Sequence, residues 1–245
     1  MAAKNDKALP LASHLYELRA RLLGCVAFFV VALVLCYTLR AEIYDIMTAP
    51  LAEALERAGV KPSLIATSLA EGFVGMIGLV FAAALMVTLP YAGVQAWLFI
   101  SPALYAKERR PALAIMLLTP MLFAAGVVFC YYLVLPNAIY FLATFVDSGS
   151  LQIPLLIMPR MADYLNLSKS LLSAFGLAFL FPLALVALTR AGAITREGLV
   201  AFRKYAVVLA FVVGAILTPP DIASQILLAL PLAIMYEIAI LFSRK

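Results

Sequence analysis

Residues 22–39, LLGCVAFFVVALVLCYTL, hold no charged side chain and are bracketed by Arg21 and Arg40. At a rise of about 1.5 Å per residue such a run makes a helix near the about 30 Å thickness of a bilayer's hydrocarbon core. Working outward, the next uncharged runs are residues 72–106, 111–146, 170–189 and 205–220, then 222–236 continuing past Glu237 to Phe242. Of the 245 residues, 66% are hydrophobic and 13% charged, and the mean hydropathy is +1.07. Soluble domains average about 45–50% apolar and about 25% charged residues. The chain is therefore neither a globular cytoplasmic enzyme, nor a disordered chain, nor a secreted disulfide scaffold. Its net charge of +5 is too small to argue for nucleic acid.

The run at 111–146 covers about 54 Å as a helix, short of the about 60 Å of two crossings. One crossing is expected there, ending near Pro136 and Asn137 with an interfacial tail rich in Phe and Tyr. The expectation is one all-α integral-membrane domain over residues 1–245. Its six transmembrane helices fall near 22–39, 72–97, 112–135, 169–189, 205–218 and 223–242. With the first residues inside, thirteen of the eighteen Lys and Arg lie on inner segments and five on outer ones. That bias places both termini in the cytoplasm.

The outer connection 40–71 is acidic on balance, and residues 49–58 read as a short helix stopped by Gly59. The other, 147–169, is expected to return as an amphipathic segment around 161–167. The inner links are expected at 107–110 and 190–204. Thr218, Pro219, Pro220 and Asp221 form so tight a turn that the last two helices must make a hairpin. At about 24 Å, residues 205–220 fall short of a typical core, so local bilayer thinning or helix tilting is expected. Pro90, Pro120, Pro136, Pro182 and Pro231 either shape packing or bend the helices into a curved, concave bundle with a lipid-open groove. The first apolar run is span-length and lacks a small-x-small cleavage site, so it is not read as a cleaved signal. No internal repeat is visible.

Little points to catalysis. Cys25, Cys36 and Cys130 have no CxxC spacing and read as core residues. His14 is the single histidine and has no acidic cluster at ligand spacing, so no metal or other cofactor is expected. No phosphate-binding loop is present, so work must draw on an ion gradient or on partners.

Glu17 stands four residues before Arg21, which a local ion pair explains. Glu108 lies amid Lys107, Arg109 and Arg110, as a solvated surface charge does. Taken together, they are two acids on one basic face, able to accept a guanidinium bidentately. Glu237, inside the last apolar run, either reaches headgroup water or serves a function. Asp221 is placed to cap the final helix, and Gln225 would prefer a helix partner to lipid.

Several separated strings now fit one pattern. They are HLYELR at 14–19, SPALYAKERR at 101–110, FRKY at 202–205, AFVVGA at 210–215, and LTPPD at 217–221 leading to Ser224 and Gln225. In that order, and over nearly the whole length, the chain resembles the TatC family of the twin-arginine protein translocase. The resemblance implies a receptor for folded proteins that carry a twin-arginine signal peptide, driven by the proton-motive force in the bacterial inner membrane. It implies that Glu17 and Glu108 pair with the signal's two arginines, with Arg19 and Arg21 supporting that surface. It implies docking of the single-span proteins TatA and TatB on the last two helices, with Thr218 and Gln225 at matching positions. Pro50 and Asp221 also match family positions, and a homo-oligomer within the complex is expected.

The chain departs from the family in two regions, the fourth span and the stretch that follows the first outer connection. Leu180 stands where the fourth span usually carries a polar or acidic residue. Residues 70–72 (Ala70, Glu71, Gly72) replace an expected proline, and Gly78 an expected lysine. Glu237 is a candidate to take over as the polar centre of the groove. Two rival classes remain. A proton-coupled small-solute transporter needs polar groups at the midplane, where only Glu237 and a few Ser, Thr and Gln residues qualify. A membrane-embedded enzyme needs a nucleophile–base or metal constellation at one depth.

Overall fold

The computed structural model describes residues 11–104, 109–145, 158–190, 192–217 and 222–243. Among these lie eight α-helices: α1 Leu11–Thr38, α2 Arg40–Arg57, α3 Leu69–Leu104, α4 Arg109–Phe129, α5 Leu135–Phe145, α6 Met161–Arg190, α7 Arg196–Leu217 and α8 Ile222–Phe242. A π-helical turn, Cys130–Val134, joins α4 to α5 without a break. Six antiparallel elements result: α1, α3, the α4–α5 rod, α6, α7 and α8. The all-α, six-helix expectation holds. The one extended contact among the described residues is a parallel bridge between Ile65 and Arg160.

Four local expectations are corrected. The third crossing does not end at Pro136. A proline ring clashes with the carbonyl four residues back, and the π turn widens the helix there, with the Leu135 N–H donating to Cys130 O. The Asn137 side chain then donates to Leu133 O at 2.6 Å, and the helix runs on to Phe145. The expected aromatic tail is thus α5, which packs across α2. Second, the helix read at 49–58 begins at Arg40, directly after α1. Its end is as expected, since the backbone turns at Gly59 with φ of +73°. Third, residues 161–167 are not a separate segment but the first turns of α6. Likewise α7 starts at Arg196, so the inner link shortens to the residues between Arg190 and Arg196.

The elements stand in an open row. α1 packs on α3, α3 on α4 and α6, α4 on α6, α6 on α8, and α8 on α7. No close packing joins α1 to α7 or α8 among the described residues. The main core is shared by α2, α3, the α4–α5 rod and α6, with Leu51, Leu55, Leu135, Leu165, Leu171 and Phe175 buried. Tyr164 donates to the Met47 carbonyl, and Tyr131 to Ile46 O at 2.7 Å, fastening α2 down. Where α4 crosses α6, a Cβ on Gly126 would stand 2.5 Å from the Phe175 carbonyl oxygen. Only a residue without that atom lets the backbones approach so closely. At 22 and 21 residues, α7 and α8 are the shortest of the single crossing helices. The first turns of α7 also carry Arg196, Glu197, Arg203 and Lys204, so its apolar part is shorter still.

Candidate functional site

At the end of the bundle where α1 begins, one carboxylate organises the surface. Glu17 and Arg21 face each other one helical turn apart, and Arg21 Nη2 and Nε donate to Glu17 Oε1 at 2.6 and 3.0 Å. The local pair read from spacing is therefore formed. Arg21 reaches further than spacing can tell. Its Nη1 donates to Gln95 Oε1 at 3.0 Å, and its Nη2 to Leu98 O at 3.2 Å, both on α3. Gln95 Nε2 in turn donates to Tyr91 Oη at 2.8 Å. Gln95 escaped the sequence reading. Its signal was a lone amide inside an uncharged run, where polar side chains seek a partner. Arg19 points outward and is exposed. Glu108 lies outside the described residues, directly ahead of Arg109, the first residue of α4.

The α7–α8 end holds the remaining candidates. Gln225 Nε2 donates to the Phe211 carbonyl at 3.1 Å, tying the two helices together. Thr218 and Asp221 lie outside the described residues. Glu237 is ion-paired with Arg203 of α7 at 2.7 Å, both side chains about half-exposed. One residue earlier, Tyr236 donates to Leu199 O at 2.7 Å. Between α6 and α7, with α8 behind, an apolar groove of about 650 Å³ opens, lined by Phe181, Phe202, Leu209 and Tyr236 among others. Glu237 is not among its lining residues. Leu180 on α6 is partly exposed, and Pro50 is buried in α2.

The two departures at the start of α3 receive a structural explanation. A Cβ at Gly78 would stand 3.3 Å from Lys169 Nζ of α6. An ammonium thus occupies this neighbourhood after all, from the facing helix. Glu71 lies in the first turn of α3, and its N–H donates to Ser68 Oγ at 3.2 Å, a side-chain cap on the helix. Its Oε2 accepts from Thr67 N and Oγ1 at 2.8 and 2.7 Å. Its Oε1 accepts from Arg160 Nε at 3.0 Å and Ala162 N at 3.2 Å. The bond to Glu71 raises the Arg160 guanidinium's pKa above its ordinary value. This clasp joins the two connections at the α2 end of the bundle.

Six apolar elements, with an acid–base pair on α1 at one end of the row and the packed pair α7 and α8 at the other, match a known family. Its model, Sec-independent protein translocase protein (TatC), covers residues 13–231. The chain belongs to the TatC family. It is 41% identical over 239 residues to the TatC of Magnetococcus marinus, spanning 98% of this chain and 85% of that one. Against the TatC of Escherichia coli K12 the identity is 38% over 235 residues, 96% and 88% of the two chains. Two crystal structures of the twin-arginine translocase receptor TatC match it at 35% identity, with TM-scores of 0.78 and 0.80. They cover 94% and 95% of this chain, and 97% and 100% of theirs. As a TatC, the chain is a multi-pass inner-membrane component of a protein translocase.

Proposed function

We propose that the chain is the receptor subunit of a twin-arginine translocase, with both termini cytoplasmic. Glu17 and Glu108 take the two arginines of a signal peptide at the inner membrane surface. The apolar stretch that follows lies along the concave side of the helix row. Thr218 and Gln225, on the α7–α8 hairpin, belong to the surface that recruits the single-span TatA and TatB. Movement of the folded cargo draws on the proton-motive force.

The observation that carries this reading is the Glu17 carboxylate, held partly exposed and tied through Arg21 to the last turns of α3. A charge-assisted hydrogen bond contributes about 1.5–3 kcal/mol net. Two such acceptors separate Arg-Arg from Lys-Lys through the planar fork, which an ammonium lacks. The test is crosslinking of a signal peptide to Glu17→Ala and Glu108→Ala chains in membranes. Both variants should accumulate normally and crosslink weakly. Unaltered export in both would remove these residues from the mechanism.

A further inference from the structure

Glu17 is held in a particular way. Arg21 Nε and Nη2 both end on Oε1, at 3.0 and 2.6 Å. A carboxylate oxygen has two lone pairs, so Oε1 is filled and Oε2 keeps its acceptor capacity. Arg21 is itself fixed from α3 by Gln95 Oε1 and the Leu98 carbonyl. A guanidinium only donates, so Gln95 must turn its oxygen to Arg21, leaving its amide N–H for Tyr91 Oη. Tyr91 leans back on α1. Its ring stacks on Phe28 with centroids 4.5 Å apart, and its hydroxyl lies 3.6 Å from where a Cβ would stand on Gly24. The relay Tyr91–Gln95–Arg21–Glu17 thus runs from α3 to α1, and Tyr91 at its start is itself packed against α1.

Building on the signal-peptide reading above, we propose that Arg21 and Gln95 are positioning residues. They clamp Glu17 Oε1 so that Oε2 is the oxygen presented to an incoming guanidinium. Two further guanidiniums beside Arg21 would crowd and repel one another, so a second arginine binds a different carboxylate, which makes the site selective for a pair. The planar fork lets Arg21 reach Glu17 and α3 at once. A lysine at 21 keeps the charge and loses that double hold. The opposite role, an internal plug that the signal displaces, predicts tighter binding once Arg21 is shortened.

The experiment measures binding of fluorescent Arg-Arg and Lys-Lys signal peptides to the purified full-length chain and four variants. Glu17→Gln should weaken Arg-Arg binding about tenfold or more, the loss of one charge-assisted bond. Arg21→Lys should weaken Arg-Arg binding about tenfold, as loss of the double hold on Glu17 and α3 predicts. Gln95→Leu, further from the carboxylate, should cost about threefold, as for a neutral bond. Gln95→Glu sets a second carboxylate against Arg21, which should draw the guanidinium off Glu17 and weaken Arg-Arg binding as well. Thermal midpoints should be alike throughout, and Gln95→Leu carries the test should Arg21→Lys fold poorly. If Glu17→Gln weakens binding while Arg21→Lys and Gln95→Leu do not, the positioning role is overturned and the receptor reading stands. Tighter binding by Arg21→Lys overturns it in favour of a plug. Unchanged binding by Glu17→Gln overturns the receptor reading itself, and this inference with it.

Discussion

Helices α1 and α6 are almost equally apolar in sequence, yet their surroundings are opposite. Of the most apolar stretch of α1 only 6% is buried within the chain, against 56% for α6. In water such a difference would cost α1 heavily, but in lipid an apolar face is at ease without protein neighbours. Hydropathy therefore says that a helix crosses, and says nothing of what it touches. The buried helix is scaffold, gripped by α3, α4 and α8. The lipid-facing one is held mainly along α3 and carries the acidic site at its end.

The largest effect should come from the scaffold side. Gly126→Val drives a branched side chain toward the Phe175 carbonyl, 2.5 Å from the first new atom. Overpacking of this kind costs about 1–3 kcal/mol, with the upper end expected here. Thermal unfolding in detergent measures it, and a wild-type midpoint would show that α4 and α6 do not need their close approach. Next comes Glu17→Gln on the lipid-facing helix. It should leave the midpoint in place and weaken signal-peptide affinity about tenfold, the reverse pattern. A smaller effect is expected at Arg203 and Glu237, a half-exposed pair at 2.7 Å. Glu237→Gln should shift stability by under about 1 kcal/mol. Smallest of all is Val34→Ala on α1, at a side chain 60% exposed. It should stay within about 0.5 kcal/mol of wild type. A large loss there would mean that α1 has a partner helix covering that face.

Much of this architecture was legible beforehand, for physical reasons. Uncharged runs must be helices in a bilayer because every backbone polar group needs an internal partner. The spacing of Glu17 and Arg21 likewise dictated their pairing. Where the sequence misled, a local stop signal met a tertiary remedy. Pro136 ends a simple helix, but a π turn upstream and the Asn137 side chain carry the helix past it. The start of α2 at Arg40 was hidden because its residues form no apolar run. Gln95 and Lys169 were hidden because their partners lie on another helix: 74 residues away for Gln95, while Lys169 stands over Gly78. Such contacts depend on how α3 is placed against its neighbours, which no run of residues specifies alone.

The sharpest test of the two-acid receptor is the preference of the reconstituted translocase for Arg-Arg over Lys-Lys leaders after both Glu17→Gln and Glu108→Gln are made. With two charge-assisted acceptors lost, Arg-Arg affinity should fall about a hundredfold or more, and the preference should vanish. A doubly neutralised complex that still holds Arg-Arg leaders with wild-type selectivity would contradict it.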